Sequence, residues 1–330
     1  DLMDYDTVYN FGKKVDTLTF EIENVNIEAL KTLEKEGVMV YPSSKTLEKI
    51  QNKATQKLFY IDHNLPTAPF QRFAYTEEIY SAIEHSSIAF PFVWKSAQFG
   101  YDGNGVKVVR SKEDLKGLPN VECVAEELVL FKNELAVIVS RNIQGDVKAY
   151  PVVEMEFHPE ANQVEYVLCP ARISDEIANK AKQVALKTSA AFDHVGLLAV
   201  ELFLTQTDEI LINEVAPRPH NSGHQTIEAS YTSQFEQHIR AILGLPLGST
   251  ENKLSGVMVN LVGAENHQGE AVYENIEKLM EMDGVTPHIY GKKETRPFRK
   301  MGHVTVVHSN IENARTIAEK VKKSIKVISK

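Results

Sequence analysis

Short apolar runs alternate with stretches of helical period along most of the chain, and that alternation sets out an α/β protein. Residues 16–22 read as a buried strand, 27–36 as a short helix ended by Gly37, and 38–41 as the next strand, stopped by Pro42. Together they form one βαβ unit. After Pro42, Ser43 and Ser44 can cap a helix whose Leu47, Ile50, Ala54 and Leu58 form one apolar stripe, which leaves Lys53 and Lys57 toward its polar side. Strand and hairpin patterns follow across 90–109 and 121–127. Ser174 caps a second amphipathic helix, with Ile177, Ala181, Val184, Ala185 and Thr188 at helical spacing and an end near Phe192. Further on, the pattern predicts a helix from about Thr232 to Leu243, strands across 257–262 and 303–308, and a helix with Ile311, Ala314, Ile317, Val321 and Ile325 on one face.

Two apolar runs, 197–204 and 209–215, are joined by a polar turn and read as a hairpin. If it is symmetric about Thr207 and Asp208, Glu201 lies opposite Glu214, on the same face as Phe203 and Ile212. Two carboxylates meeting inside an apolar sheet need a proton, a cationic side chain or a metal. Oxygen ligands favour magnesium, and Asn213 adds a neutral oxygen next door. Adjacent strand residues point to opposite faces, so Asn213 and Glu214 share a metal only at a strand end or a bulge. The alternative is an exposed face on which Glu201 is merely solvated.

Other candidate chemistry lies in loops. The run Phe90-Pro91-Phe92-Val93-Trp94 delivers Lys95 and breaks into Gly100-Tyr101-Asp102-Gly103-Asn104-Gly105 before Val106. Such a stretch is either a β-hairpin turn or a phosphate clamp, with glycines admitting backbone N–H groups close to an anion and the lysine supplying charge. Arg218, His220 and His224 sit in a loop dense in donors, able to hold a carboxylate or relay protons, or else simply capping a surface. A basic cluster across 292–303 either binds an anionic substrate or is a solvated charge run. Residues 124–129 end a strand with two acids, placed to meet an adenine and a ribose or to keep an edge strand soluble.

Bulk properties narrow the classes. A length of 330 residues suits two or three compact units, and a formal net charge of −9 disfavours nucleic-acid binding. Cys123 and Cys169 make neither a disulfide framework nor a zinc site, which fits a reducing cytoplasm. No apolar stretch suits a membrane span and no signal peptide opens the chain, so a soluble protein is expected. The sequence starts at Asp1 in what reads as the middle of a fold, so a preceding N-terminal piece is expected.

Assembled in order, several motifs resemble the ATP-grasp superfamily and, within it, the 5-(carboxyamino)imidazole ribonucleotide synthase family of purine biosynthesis. They are Phe20-Glu21-Ile22-Glu23, Leu65-Pro66-Thr67-Ala68-Pro69, Trp94-Lys95 with the glycine loop, the run from Asn213 and Glu214 through Arg218, His220, Asn221, Ser222 and Gly223 to His224, and the run from Arg296 to His303. The resemblance implies an ATP-grasp fold with a partial Rossmann-like pre-ATP-grasp domain over 1–52, a lid region over 53–130, a catalytic subdomain over 131–253 and an α+β C-terminal subdomain over 254–330.

It also implies ATP- and bicarbonate-dependent carboxylation of aminoimidazole ribonucleotide through carboxyphosphate, by a cytoplasmic homodimer with no nucleic-acid or membrane partner. ATP phosphate contacts fall to Lys53, Lys95, Gly100, Tyr101, Asp102, Gly103, Asn104, Gly105 and Val106. Adenine falls to Glu126, Glu127, Leu128 and Val129, ribose to Glu134, and a further ATP contact to His158. Mg²⁺ falls to Glu201 and Glu214, with Asn213 beside them. Tyr101, Asp102, Arg218, His220, Lys293, Arg299 and Lys300 form the group around bicarbonate and the ribonucleotide. Where relatives often carry Arg, this chain has Lys53, which keeps the charge and loses bidentate geometry. The family's Gly-rich strand-turn-helix, which helps hold the ribonucleotide phosphate, is expected before Asp1. The alternatives are another ATP-grasp carboxylate-amine ligase, a formate-using purine enzyme, or a non-catalytic nucleotide-binding interaction protein.

Overall fold

In the computed structural model, which describes residues 1–98, 105–158 and 163–330, the first apolar run pairs over two residues only. Thr17–Leu18 runs parallel to Met39–Val40, with the helix Ile27–Lys35 as crossover. A strand across 16–22 does not form, because the chain leaves the sheet after Leu18 for another partner. Thr19 Oγ1 meets His238 Nε2 at 2.7 Å, and Glu23 pairs with Arg218. Val8, Leu18, Leu30, Leu33 and Leu47 close a small core around this unit.

The helix expected after Pro42 is two helices, Ser44–Gln51 and Lys53–Asp62, broken at Asn52 (φ −116°, ψ 114°). Asn52 leaves helical geometry and caps the second helix, its Oδ1 accepting from Thr55 N at 2.9 Å while its Nδ2 donates to Glu122 Oε2 at 2.9 Å. The break overturns the single apolar stripe. Leu58 is 42% exposed, whereas Lys57, expected on the polar side, is 2% exposed. Lys53 becomes the first residue of the second helix, and its backbone N–H donates to Ala97 O at 2.8 Å.

Two antiparallel sheets follow. One has the order Phe70–Phe73, Cys123–Glu127, Phe92–Ser96, Val106–Val109, and buries Trp94, Phe92 and Ile79 on one side. Among the described residues the other carries nine strands. It runs from Ile210–Ala216 through Gly196–Thr205, Phe131–Arg141, Val153–Phe157, Val164–Cys169, Ser255–Val262 and Lys300–His308 to Val285–Ile289, with Val147–Ala149 on the side of Phe131–Arg141. The helix Asp175–Phe192, capped by Ser174 as the pattern predicts, covers one end through Ile177, Ala181 and Ala185. At the other end Ile311–Ser324 packs Ala314, Ala318 and Val321 on Val257, Val259, Val304 and Val306. The helix Gln234–Ile242 starts two residues later than expected, behind its Ser233 cap. The strand expected across 303–308 begins at Lys300, and Lys326–Ser329 adds a further short strand after the last helix.

Replacing Asn52 with Ala should lower stability by about 1 kcal/mol, the usual effect of losing an N-cap. The expected observation is a lower thermal-unfolding midpoint with the helical circular-dichroism signal retained.

Candidate functional site

The hairpin Gly196–Thr205 and Ile210–Ala216 places the two carboxylates opposite each other as expected, by way of the bulge that the sequence left open as one alternative. Leu204, Phe203 and Leu202 face Ile210, Leu211 and Ile212, and Glu201 then faces Glu214, so Asn213 is one residue too many. It forms a β-bulge. The symmetry centre is therefore Thr207 alone, and Phe203 lies opposite Leu211 rather than on a face with Ile212. Ile212 and Val215 both pack into the core with Leu202 and Val200, so Asn213 and Glu214 both project from the opposite face. An uninterrupted strand would put them on opposite sides. Glu134, directly across from Phe203, joins the same face.

Cations converge on this face from the smaller sheet and its helix. Lys53 Nζ pairs with Glu214 Oε2, and Lys95 Nζ donates to Asn213 Oδ1 at 3.0 Å and lies 3.1 Å from Glu126 Oε2. Lys57 approaches the same Glu126 oxygen at 3.0 Å. From the loop after Glu214, His220 Nε2 lies 3.3 Å from Glu201 Oε1. The Ser222 backbone N–H donates to His220 Nδ1, which directs the remaining ring proton to Nε2 and toward Glu201. Arg218 Nε donates to Glu23 Oε1 at 3.0 Å, tying the N-terminal loop to the site.

The environment separates the carboxyls. The Lys53 ammonium beside Glu214 holds that carboxyl well below the usual range, while burial and the facing Glu214 push Glu201 upward. Burial, together with Arg218 and Lys300, drops His220 to about 3, so it is a neutral donor at neutral pH. Glu214 keeps 41% side-chain exposure and Glu201 15%. Two opposed carboxylates with an amide oxygen beside them suit a small hard cation whose other ligands are phosphate or water oxygens. No group of three or more His, Cys, Asp or Glu side chains is placed to hold a metal among the described residues.

The remaining sequence candidates fall as follows. Gly105 ends the loop with φ +76° and its carbonyl accepts from Ser96 N at 2.8 Å, while Val106 pairs with Lys95. Gly100, Tyr101, Asp102, Gly103 and Asn104 lie outside the described residues. Glu126 and Glu127 end the strand Cys123–Glu127, and Leu128 and Val129 follow it, half-buried. Glu126 is buried and its carboxylate faces lysines. His158 stands edge-on to Phe298, 6.0 Å between ring centres. Lys300 lowers the titration of both Glu201 and His220, so it joins the group; Lys293 is exposed, and Arg299 Nη1 donates to the Glu294 carbonyl.

Sequence reasoning gave no role to Lys57, to the Glu23 partner of Arg218, or to a ladder of rings beyond the site. In that ladder His224 stacks on His303 (4.7 Å) and His303 on His288 (4.4 Å). The signal for Lys57 was its spacing of four from Lys53, which places both lysines on one helix face.

Burial pushes Glu134 up to about 7. Because its folded value is raised, the unfolded chain binds fewer protons between 4.5 and about 7, and this group's contribution to stability falls as pH rises through that window. Glu134→Gln should flatten that decline, read as thermal midpoint against pH for the two proteins.

Comparison with known proteins matches residues 58–235 to the ATP-grasp domain. Residues 1–51 match the ribonucleotide synthetase preATP-grasp domain, and residues 256–316 the phosphoribosylaminoimidazole carboxylase C-terminal domain. The phosphoribosylaminoimidazole carboxylase of Candida glabrata is 38% identical over 311 residues, covering 91% of this chain and 54% of that protein. The chain thus spans about half the length of such relatives. The crystal structure of N5-carboxyaminoimidazole ribonucleotide synthetase from Thermotoga maritima aligns with a TM-score of 0.91 at 41% identity, over 100% of this chain and 86% of that one. That of the Aspergillus clavatus N5-carboxyaminoimidazole synthase, in complex with ADP and 5-aminoimidazole ribonucleotide, aligns with a TM-score of 0.87 at 32% identity, over 98% and 85%. The expected ATP-grasp fold with pre-ATP-grasp and C-terminal domains is borne out. The chain belongs to the ATP-grasp family of N5-carboxyaminoimidazole ribonucleotide synthases.

Proposed function

We propose that this protein is an ATP-dependent ligase that forms a carbon–nitrogen bond, using ATP and bicarbonate to carboxylate the exocyclic amine of 5-aminoimidazole ribonucleotide through carboxyphosphate, in purine biosynthesis. The observation that carries the reading is the bulged strand. It sets Glu214 and Asn213 on one face opposite Glu201, with Lys53 and Lys95 against them, in a chain of this family. A relative with this fold binds ADP and 5-aminoimidazole ribonucleotide together.

In this reading the nucleotide phosphates lie against Lys53, Lys95 and the loop ending at Gly105 and Val106, which includes Tyr101 and Asp102. Adenine meets residues 126–129, ribose Glu134, and His158 adds a further contact. Phosphoryl transfer is mainly positioning and charge neutralisation, which two lysines on one side of the cleft and oxygen ligands on the other supply. Glu201, Glu214 and Asn213 would hold magnesium, which would supply charge neutralisation to the transferring phosphoryl group. Arg218, His220, Lys293, Arg299 and Lys300 surround bicarbonate and the ribonucleotide, with His220 offering its Nε2 proton as a neutral donor. Asp102 positions or deprotonates the amine. The same reading makes the protein a cytoplasmic homodimer; no helix among the described residues is long and apolar enough to cross a membrane.

Phosphate release from ATP should require bicarbonate and be stimulated by aminoimidazole ribonucleotide. Glu214→Gln should reduce it by about 100-fold or more, as expected for loss of charge neutralisation at the transferring phosphoryl group. Arg218→Ala should abolish stimulation by the ribonucleotide while leaving ADP binding measurable by calorimetry. Release indifferent to both bicarbonate and the ribonucleotide would sink this reading.

A further inference from the structure

The helix Gln234–Ile242 begins with a fully buried glutamine whose side chain is bonded to the loop after Glu214. Gln234 Oε1 accepts from His220 N at 2.8 Å, and Gln234 Nε2 donates to the His220 carbonyl at 2.8 Å. The amide pairs with His220 as a neighbouring strand would. Its orientation is therefore fixed, since turning it over would set N–H against N–H and oxygen against oxygen. Gln234 Nε2 also lies 3.0 Å from His224 Nδ1. An amide nitrogen only donates, so Nδ1 accepts and the ring proton sits on Nε2. Gly223 permits the contact: a Cβ there would stand 2.6 Å from Gln234 Oε1 and 2.3 Å from Ile138 Cδ1.

The rest of the ring is held by other rings. His224 stacks on Phe235 at 5.8 Å and on His303 at 4.7 Å, with Tyr290 edge-on at 6.5 Å. Tyr290 is held in turn by its hydroxyl, 3.0 Å from His303 Nδ1. His224 Nε2 meets no hydrogen-bond partner among the described residues, and the residue is half-buried. Imidazole geometry points the Nε2–H bond away from Gln234. Burial, with Lys300, His288 and Arg218, lowers His224 to about 4, so at neutral pH the ring is an uncharged donor near two cations. Phe235 and Tyr290 each keep 38% exposure, so open aromatic rings border that donor. A planar heterocycle carrying a sugar and an anionic group fits these neighbours, whereas bicarbonate would use the cations and leave the rings without a partner.

We propose that His224 is a further substrate-binding residue, which donates its Nε2 proton to an acceptor atom of 5-aminoimidazole ribonucleotide, and that Gln234 is the positioning residue that keeps the proton on that nitrogen. This rests on the reading of the ribonucleotide as substrate. Gln234 itself touches no substrate. The stacked rings hold the plane of His224, and the amide selects which of its nitrogens donates.

The test is ribonucleotide-stimulated phosphate release by the full chain, with KM determined for each substrate. His224→Phe keeps a ring in the stack and removes the donor. It should raise the KM for the ribonucleotide by about tenfold or more, while Mg²⁺-ADP affinity in calorimetry stays within about threefold of wild type. His224→Gln gives up the ring and offers an amide N–H near the place of Nε2, so its KM should stay within about threefold of wild type. A histidine needed only for packing predicts the opposite order. Should H224F not fold, His224→Leu, also without a donor, takes its place. Nitrogen NMR of the histidines gives a second readout: the resonance missing from H224Q should report a neutral ring protonated at Nε2 in the wild type, and Gln234→Leu should spread the proton over both nitrogens. An unchanged KM in H224F, a rise confined to bicarbonate, an H224Q no better than H224F, or a wild-type ring protonated at Nδ1 would overturn the role of His224. A spectrum unaltered by Q234L would overturn that of Gln234. Wild-type phosphate release that ignores the ribonucleotide would overturn the substrate reading and this proposal with it, whereas intact stimulation with an unchanged KM in H224F overturns this proposal alone.

Discussion

One inserted residue in one strand governs how the charged side chains of the site are arranged. The sheet must keep Ile212 and Val215 against the core helix, and with Asn213 and Glu214 between them the backbone accommodates both only by bulging. The bulge turns two successive polar side chains to one face and sets Glu214 across from Glu201. It also creates the electrostatic problem that the surrounding residues answer, because two carboxylates on neighbouring strands repel. Lys53 answers it at Glu214 and His220 at Glu201, and each partner arrives from a different element of the fold.

Those partners depend on where the chain is interrupted. If residues 44–62 continued as one helix, Lys53 would sit in its middle, on a solvent-facing side. Asn52 breaks the helix because its own backbone is extended and because outside groups fix it there: Glu122 accepts from its amide and Ala97 accepts from the next N–H. The second helix starts afresh, in a register that turns Lys53 and Lys57 inward and Leu58 outward. A cap therefore serves as the device that aims the cations.

How far the sequence could reveal this follows from what each feature depends on. The long helices Asp175–Phe192 and Ile311–Ser324 were legible because many positions repeat one period and local capping agrees with it. The opposition of Glu201 and Glu214 was legible as a pair, while the bulge beside it was legible only as one of two alternatives. A hairpin symmetric between Thr207 and Asp208 and one centred on Thr207 with a bulge give the same facing carboxylates, and only packing of Ile212 and Val215 distinguishes them. Lys57 was misplaced because periodicity assigns charge to solvent by default, and the reason to bury it is Glu126, a residue sixty-nine positions away. The short first strand was overestimated for a related reason. The run 16–22 is apolar enough for a strand, but Thr19 and Glu23 have partners at His238 and Arg218, far along the chain.

That last pair of contacts bears on how the site is closed. Glu23 comes from the N-terminal unit and Arg218 from the loop following the strand Ile210–Ala216, so their ion pair fastens two parts of the fold, near Glu214 and Lys53. Burial raises the Glu23 carboxyl, and the neighbouring Arg218 works against that rise, so the guanidinium is what keeps an acid acceptable there. An arginine already engaged on one side by a carboxylate has its planar fork oriented in advance. Its remaining N–H groups can meet a second anion with less loss of side-chain freedom than a free arginine would suffer. The Phe20–Glu23 segment thus bears on this part of the fold through Glu23, which orients the Arg218 guanidinium.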